Sequence, residues 1–401
     1  MLPSVFQAGR RQGPMKLALV IPSLGGGGAE RVMTTLANAW ASNGHAITLI
    51  TLASEQADKY SLDASVRRIA LGVTGRSSNP LDAIGHNLGR IRALRRAIRT
   101  ARPDALLSFT TRTNVLVLIA AGRARARVIV SERTAPGPSW ARGVWRTLGR
   151  PMYRRAAAVV AQTRRCADRM EAILDCAVDV IPNPVAPGFG DPAPDPRTPA
   201  SPRATHAGRP RTLLAVGRLT PEKGFDGLVD AFAQVADHHP EWNLVILGEG
   251  RMRGALTRAI AARGLADRIR LPGFDDRVRQ AMRRADLFVL SSRFEGFPNA
   301  LLEAMSEGLA CVSFDCEAGP RELIRHRENG WLVPAQDTRG LAAALDTLMH
   351  DEDLRARLGT GAREVRTRYS MPRIIGQWNA LLARTAGTAN GHARAAAGDG
   401  E

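Results

Sequence analysis

The sequence predicts an α/β protein made of two doubly wound parallel sheets in tandem. Three observations support this prediction: short apolar runs with little alternation, amphipathic stretches between those runs, and a proline-rich interruption near the middle of the chain. Apolar runs without alternation are typical of parallel strands that are covered on both faces. With 401 residues, the chain is long enough to form two domains that each bury a core.

The first half alternates predicted strands with amphipathic helices. The clearest helix, 29–40, places Val32, Met33, Leu36 and Trp40 on one face, and an Asn-Gly pair follows it. The predicted strands lie at 16–21, 46–50, 105–109, 127–130, 158–161 and 178–181. We assign this alternating pattern to one domain, residues 15–183.

The second half repeats the pattern after a break in composition. Residues 184–210 contain eight prolines, which predicts a linker between domains. Further strands are predicted at 212–216, 243–247, 287–290 and 310–314. We assign a second domain to residues 211–370 and expect the two ends, 1–14 and 387–401, to be disordered.

Cysteine content and hydropathy exclude several classes of protein. The four cysteines, at 166, 176, 311 and 316, are too few and too widely spaced for a disulfide framework or a zinc cluster. The first residues lack the apolar core of a signal peptide. The longest apolar run, 115–121, is shorter than the ~18 residues that a membrane span needs. These features predict a reduced, cytoplasmic setting without a bound metal ion.

Positive charge is concentrated in the first half of the chain, within a total of +18. Residues 1–190 contain 27 Lys and Arg against 11 Asp and Glu, whereas residues 191–401 contain 29 against 27. Such asymmetry predicts that the first domain faces an anionic partner. Nucleic acid, a phospholipid surface and a diphosphate-bearing substrate all fit the charge alone.

Two basic stretches refine this prediction. In the first, arginines repeat at helical spacing and apolar residues occupy the opposite face: Arg92, Arg95, Arg96 and Arg99 against Ile84, Leu88, Ile91 and Ile98. The second, 133–167, contains no acid and mixes arginines with Trp140, Trp145 and Tyr153. Basic and aromatic residues together favour an anionic membrane surface. The alternatives are a solvated arginine-rich face and nucleic-acid binding, for which no reader module is present.

A glycine run, Gly25–Gly28, follows the first predicted strand and precedes a helix. Glycines at this position let the backbone approach a phosphate beside a helix N-terminus. A nicotinamide-binding loop would need a third glycine where Glu30 stands and an acid about 20 residues on, for which Glu55 is the nearest candidate. A purely structural tight turn is the other alternative.

The segment 217–224 places two cations after a strand of the second half. Arg218 and Lys223 lie five residues apart, where open α/β sheets bind ligands. A guanidinium and an ammonium so placed are suited to hold a diphosphate. Read alone, the segment also fits a solvated loop with two ordinary surface charges.

A second segment, 291–305, contains two acids separated by seven residues. Pro298 is expected in the first turn of a helix, so Glu295 falls in the preceding loop and Glu303 inside the helix. Free amides near Asn299 and Ala300 would then face a bound phosphate. The alternative, an acid stabilised by the helix dipole, explains one glutamate but not the whole segment.

Taken together, these motifs resemble glycosyltransferase family 4, whose members are retaining nucleotide-sugar transferases. The matching segments are 27–31, 217–224, 248–250, 295–303 and 329–334, and the resemblance covers roughly residues 15–385. It implies the GT-B fold, in which two Rossmann-like doubly wound domains face each other across a cleft. It also implies that a C-terminal helix, 371–386, crosses back to the first domain.

The resemblance implies roles for individual residues. Arg218 and Lys223 would neutralise the leaving diphosphate in place of a metal ion, Glu295 would hold the donor sugar and Glu303 the ribose. The remaining donor-binding positions would be Gly27, Gly28, Gly273, Phe274, Gly296, Phe297, Asn299, Ala300 and Leu301. No cofactor is implied, and the nucleotide sugar is a substrate.

Segments 131–136 and 315–324 are similar to those of members that extend lipid-linked oligosaccharides for exopolysaccharide, capsule or lipopolysaccharide. The implied reaction is transfer of a hexose or N-acetylhexosamine, from UDP rather than GDP, to a polyprenyl-diphosphate-linked saccharide at the inner face of the cell membrane. Glu132 and Arg133 would lie on the acceptor side. Many members carry a histidine where this chain has Thr110, Thr111 and Arg112.

Two other functions stay open at this point. A nucleotide-sugar 2-epimerase shares the same architecture but needs acid and base residues that the motifs do not supply. A basic anion-binding protein without catalytic activity would explain the charge but not the retained Glu295, Glu303, Arg218 and Lys223.

Overall fold

A computed structural model describes residues 13–75, 80–122, 126–133, 144–191 and 210–395. The chain divides into two units, each built around one sheet. The first comprises Met1–Pro182 with Pro372–Glu401, and the second is the continuous stretch Asn183–Met371. The predicted linker lies mostly at residues 192–209, outside the described residues, and its first part, 184–191, belongs to the second unit.

Within the described residues of the first unit, parallel strands pair in the order β3-β2-β1-β4-β5-β6-β7. These strands are β1 (Lys16–Ile21), β2 (Ala46–Thr51), β3 (Arg67–Ala70), β4 (Ala105–Phe109), β5 (Arg127–Ser131), β6 (Ala158–Ala161) and β7 (Val178–Val180). The helices between them are α1 (Gly28–Ser42), α2 (Pro80–Ala101), α3 (Thr111–Ala121), α4 (Val144–Tyr153) and α5 (Arg164–Leu174). In register, Leu19 of β1 lies beside Leu49 and Leu107.

The second unit repeats this design with parallel strands in the order β10-β9-β8-β11-β12-β13. Its strands are β8 (Arg211–Val216), β9 (Trp242–Leu247), β10 (Ile269–Gly273), β11 (Leu287–Leu290), β12 (Cys311–Asp315) and β13 (Trp331–Pro334). Its helices are α6 (Phe225–Val235), α7 (Arg253–Ala262), α8 (Val278–Arg284), α9 (Asn299–Ser306), α10 (Pro320–Leu323), α11 (Thr338–His350), α12 (Glu352–Ala362) and α13 (Val365–Arg368). Trp242 and Phe232 are fully buried in its core.

Strand order reverses once in each sheet, and this reversal positions the loops that carry the motifs. In the first sheet the reversal lies between β1 and β4, and in the second between β8 and β11. At such a point the connections leave in opposite directions, so a crevice opens at the carboxyl ends of the two strands. The predicted α/β class with two doubly wound sheets is confirmed.

The C-terminal helix α14 (Met371–Ala395) belongs to the first unit. Trp378 is buried and meets Trp40 edge to face, with ring centroids 6.4 Å apart. The Trp40 Nε1–H donates to Asn379 Oδ1 over 2.9 Å. Trp378 and Leu382 also face Leu17 and Leu107 around a small apolar cavity. The helix continues past residue 386, where the sequence pattern ends it, although Gly387 and Gly391 are poor helix formers.

Three strands, β3, β10 and β13, were not predicted, and all three lie at sheet edges. An edge strand is partly solvated, so β3 and β10 lack the continuous apolar run of a central strand. The predicted apolar face of α2 is wrong at its start, because Ile84 and Leu88 are 59% and 46% exposed. Only the later part of that face, including Ile98, is buried.

Replacing Trp378 by Ala tests the contribution of α14 to the first unit. We expect Trp378→Ala to lower the free energy of unfolding of this unit by about 3–5 kcal/mol, because it opens a cavity beside Trp40. Urea unfolding followed by tryptophan fluorescence measures this change. Arg373→Ala, on the exposed side of the same helix, should change stability by less than about 0.5 kcal/mol. Equal stability of both variants would contradict the packing role of α14.

Candidate active site

The loops after β8 and β11 approach each other closely because of a glycine. Gly224 follows a short 3₁₀ turn, Pro221–Lys223, and adopts φ 63°. A Cβ at this position would lie 2.2 Å from the carbonyl oxygen of Ser291. Any larger residue would push the two loops apart. Gly224 therefore permits contact between the two predicted site segments, 217–224 and 291–305.

Two of the residues predicted to be catalytic are in direct contact. Lys223 Nζ lies 2.6 Å from Glu295 Oε1, and both side chains are largely covered, at 22% and 10% exposure. The Ser292 hydroxyl donates to the same carboxylate oxygen over 2.7 Å. The Ser291 hydroxyl donates to the Lys223 carbonyl over 3.0 Å. Glu295 is thus fixed by an ammonium and a hydroxyl from the two loops.

Arg293 joins the same loops on their other side. Its backbone N–H donates to the Glu222 carbonyl, and its guanidinium donates to the Pro221 carbonyl and to Asp226 Oδ2 over 2.5 and 2.6 Å. Partial burial raises the pKa of Asp226, but the hydrogen bond and the charge of Arg293 together with local backbone hydrogen bonds outweigh it, so this pKa is lowered. Arg218, at the end of β8, is exposed. Hydrogen bonds from the backbone and from Thr220 lower the pKa of Glu222, and the nearby charge of Arg218 lowers it further.

Helix α9 begins directly after these residues. Pro298 is its N-cap and Asn299 its first residue, so the helix starts one residue later than predicted. The amides of its first turn have no partner within the helix and carry the positive end of the helix dipole. Gly319, at φ 98°, packs against the N-cap, since a Cβ there would lie 2.6 Å from Pro298 Cδ. Glu303 lies in the second turn and is 3% exposed.

The other predicted donor positions occupy different places in the second unit. Gly296 and Phe297, just before α9, and Leu301, in its first turn, are buried, and Ala300 is partly exposed. Gly273 ends β10 and Phe274 follows it, and β10 is separated from β8 by β9. Phe274 is 63% exposed.

In the first unit, the glycine run leads into α1. Gly27 is the N-cap of this helix, and its carbonyl accepts hydrogen bonds from the Tyr60 hydroxyl and the Arg31 amide. A Cβ at Gly27 would lie 2.2 Å from Glu30 Oε2, so the carboxylate lies against the helix start. Gly28 is the first helical residue and is exposed. This arrangement fits both a structural tight turn and the predicted phosphate-binding loop.

A buried carboxylate lies at the carboxyl ends of β4 and β5, where the acceptor-side residues were predicted. Glu132 is 4% exposed and accepts hydrogen bonds from Thr111 Oγ1 at 2.6 Å, Asn114 Nδ2 at 2.9 Å, and the Tyr153 hydroxyl. Burial raises the pKa of Glu132, while these donors and Arg133 act in the opposite direction.

Arg133 is buried beside Glu132, with its guanidinium 4.0 Å from the centre of the Phe109 ring. Burial lowers the pKa of Arg133, and the Glu132 charge partly offsets this effect. Thr111, which stands where the resemblance implies a histidine, hydrogen-bonds Glu132. Tyr153, predicted as a surface aromatic, is instead buried in this cluster. Trp140 lies outside the described residues.

Several site residues were missed from the sequence. Ser292 and Arg293 stand inside the second motif, and their polarity beside a buried strand was a usable signal. Thr111, Asn114 and Tyr153 gave no signal, because they approach Glu132 only in the folded chain. Among the described residues, no group of three or more His, Cys, Asp or Glu is arranged to hold a metal ion.

Comparison with known families explains this arrangement. A model described as glycosyl transferase 4-like domain matches residues 27–184, and one described as glycosyl transferases group 1 matches residues 197–365. Together they cover both units. The chain belongs to glycosyltransferase family 4.

Curated relatives of this family 4 chain include an exopolysaccharide phosphotransferase of Streptomyces coelicolor, 35% identical over 72% of the chain and 29% of that protein. The chain spans about half the length of the next relatives that it matches. A Campylobacter jejuni protein is 25% identical over 92% of the chain and 98% of its own length. It is named as an α-1,4-N-acetylgalactosaminyltransferase acting on an undecaprenol-diphosphate-linked saccharide.

Solved structures show the same fold. Sucrose-phosphate synthase from Thermosynechococcus elongatus has a TM-score of 0.79 at 17% identity and covers 93% of this chain and 99% of its own. Anabaena HepE in complex with UDP has a TM-score of 0.75 at 21% identity and covers 92% and 100%. The family 4 chain therefore shares the GT-B fold with these proteins.

The buried Glu132 predicts a pH dependence of stability. Its pKa is raised above the ordinary 4.5, so the native state holds this proton more tightly than the unfolded state. The free energy of unfolding should therefore fall as pH rises from about 4.5 through the native pKa, and this contribution is constant above it. Glu132→Gln, which keeps the shape, should show a smaller fall over the same window in thermal unfolding.

The exposed Glu55 supplies the control for this measurement. Glu55→Gln should keep the wild-type pH profile of thermal unfolding. If Glu132→Gln and the wild type lose stability equally across the window, the carboxyl of Glu132 does not titrate with a raised pKa.

Proposed function

We propose that the chain is a retaining glycosyltransferase that moves a hexose or N-acetylhexosamine from a nucleotide diphosphate sugar to a polyprenyl-diphosphate-linked saccharide. The observation that carries this proposal is the contact of Lys223 with Glu295, beside the N-terminus of α9, at the strand-order reversal of the second sheet. This arrangement combines cations, the first-turn amides of α9 and a fixed carboxylate within one crevice.

The chemistry follows from the charge that the reaction creates. The acceptor oxygen bonds to the anomeric carbon while the bond from that carbon to the diphosphate oxygen breaks, and the acceptor proton passes to the leaving phosphate. Arg218, Lys223 and the first amides of α9 stabilise the leaving diphosphate, so no resident metal ion is required in this proposal. The sugar keeps its anomeric configuration, and we assign no protein nucleophile.

The remaining predicted residues each bind a different part of the donor. Glu295 binds sugar hydroxyls, and Glu303 accepts hydrogen bonds from the ribose. Gly273 and the exposed Phe274 bind the base. The backbone around Gly296–Leu301 lines the sugar and phosphates. The UDP complex of HepE supports UDP rather than GDP as the carrier.

The acceptor belongs to the first unit in this proposal. Glu132 and Arg133 lie at the carboxyl ends of β4 and β5, next to the strand-order reversal of the first sheet. The lipid-linked substrate in the name of the Campylobacter relative supports an acceptor of the same class. A product of such a reaction would enter exopolysaccharide, capsule or lipopolysaccharide.

We also propose that the first unit binds the inner, anionic surface of the cell membrane. Arg92, Arg96 and Arg99 are exposed along α2, and the apolar Ile84 and Leu88 are exposed near its start. Exposed basic residues beside exposed apolar ones favour an anionic interface. No helix within the described ranges is long and apolar enough to cross a membrane.

Nucleotide binding and turnover test the proposed function together. UDP at about 100 times its dissociation constant should stabilise the protein by roughly 2.7 kcal/mol in thermal unfolding, with or without magnesium. Glu295→Gln should lower kcat for sugar transfer by at least about 100-fold and leave the UDP dissociation constant within about threefold. Glu241→Gln, an exposed carboxylate of the same unit, should keep full turnover.

Other outcomes identify the alternatives. Conversion of the nucleotide sugar to its epimer, without transfer, would establish the 2-epimerase. Absence of stabilisation by UDP, GDP or their sugars would contradict the roles of Arg218, Lys223 and Glu303 and support a basic anion-binding protein. Full turnover by Glu295→Gln would remove Glu295 from the mechanism.

The membrane proposal has its own test. Replacing Arg92, Arg96 and Arg99 together by Gln should lower the affinity for phosphatidylglycerol vesicles, measured by cosedimentation, by at least about tenfold. Each basic residue contributes about 1 kcal/mol at such a surface. Added salt should weaken the wild type in the same direction. Arg258, Arg270 and Arg339, exposed in the second unit, form the matched triple. Equal loss in both triples would indicate a nonspecific charge effect.

A further inference from the structure

The segment that carries the chain into the second unit lies along helix α9. We call residues 183–191 the outgoing segment. At its start, Asn183 is buried and donates through Nδ2 to Asn299 Oδ1 over 2.6 Å. At its end, the Gly190 amide donates to Glu307 Oε1 over 2.8 Å. Asn299 begins α9 and Glu307 is its C-cap, so the segment is fixed to both ends of this helix.

The contact between the outgoing segment and Glu307 is reinforced by ion pairs around this buried carboxylate. Glu307 binds Arg279 Nε at 3.0 Å and Arg283 Nε at 2.8 Å, and its side chain is only 4% exposed. Both arginines also donate to the Asp191 carbonyl, over 3.0 and 2.6 Å. The outgoing segment therefore has little freedom to slide along α9.

The segment that leaves the second unit rests on the same helix. We call residues 365–371 the return segment. Arg366 Nε donates to the Ser306 carbonyl at the end of α9 over 2.6 Å. The Tyr369 ring meets Phe297, just before α9, with centroids 5.6 Å apart. The Tyr369 carbonyl accepts a hydrogen bond from the Val185 amide, so the two segments support each other.

The contact at Asn183 has a chemical direction. A carboxamide has an acceptor oxygen on one side and a donor nitrogen on the other. Because Asn299 turns its oxygen toward Asn183, it directs its nitrogen the other way. Asn299 is also the first residue of α9, beside the amides that face the proposed diphosphate. A donor nitrogen there attracts phosphate or sugar oxygens, whereas a carboxamide oxygen would repel them.

We propose that Asn183 is a positioning residue for the donor substrate: it orients the Asn299 carboxamide so that its nitrogen faces the nucleotide diphosphate sugar. This inference rests on the proposed function, because it deepens the donor site described above. It also gives both segments that connect the two units a common support on the helix that binds the donor.

Asn183→Asp separates orientation from packing. Aspartate keeps the size and retains a hydrogen bond, but it can only accept, so Asn299 must turn its nitrogen toward residue 183 and its oxygen toward the ligand. We expect the UDP dissociation constant, measured by calorimetry, to rise about tenfold, as loss of one charge-assisted hydrogen bond predicts. The midpoint of thermal unfolding should change little. In an Asn299→Ala background, Asn183→Asp should change UDP binding by less than about twofold.

The matched control is Asn329→Ala. Asn329 is equally buried in the same unit and hydrogen-bonds the Leu323 carbonyl and Glu364. Its replacement should lower the midpoint of thermal unfolding while leaving UDP affinity unchanged. An Asn183→Asp protein with wild-type UDP affinity would overturn the proposal, as would an effect that persists in full when Asn299 is absent.

A ligand-free measurement keeps this test independent of the proposed function. In protein labelled with ¹⁵N at asparagine, the side-chain NH₂ signals of Asn299 are those lost in Asn299→Ala. These signals should shift in Asn183→Asp and stay in place in Asn329→Ala. Unchanged Asn299 signals in Asn183→Asp would overturn the positioning role. A wild type that binds neither UDP nor GDP would instead overturn the proposed function, while the signals still report on Asn183.

Discussion

The reversal of strand order between β8 and β11 is the constraint on which the candidate site depends. It leaves the carboxyl ends of two adjacent strands uncovered, so both following loops emerge over the same crevice. Gly224 then permits these loops to touch at Ser291. Without that approach, Lys223 and Glu295, which are far apart in sequence, would not share a hydrogen bond. The contact between Lys223 and Glu295 thus depends on the strand order of the second sheet and on a glycine at position 224.

Central parts of the fold were predictable because they obey simple patterns. The strands β1, after its first residue, and β11 are continuous apolar runs, and polar motifs directly after such runs must lie at the carboxyl edge of a parallel sheet. The edge strands β3 and β10 contain arginine or proline within short stretches. Half-solvated strands of this kind do not differ in composition from loops, so the sequence pattern could not reveal them.

The acceptor-side cluster shows where sequence patterns fail. Tyr153 stands among arginines and resembles a surface aromatic, yet it is buried against Glu132. Its partner Asn114 comes from a different helix, so nothing near Tyr153 in the sequence indicates it. Likewise, four strands of the second sheet, β8 to β11, lie between Asn183 and Asn299 in the sequence. Burial of polar groups depends on tertiary partners, which periodicity does not record.

The position of α14 in the chain has a consequence for how the protein is made. Trp40 and its hydrogen-bond partner Asn379 are 339 residues apart, so the ribosome releases the first sheet long before the helix that covers it. The second unit, by contrast, is one uninterrupted stretch and is complete earlier. The domain that is translated first is therefore finished last. Premature termination within α14 would therefore expose the apolar face of the first unit and leave the second unit intact.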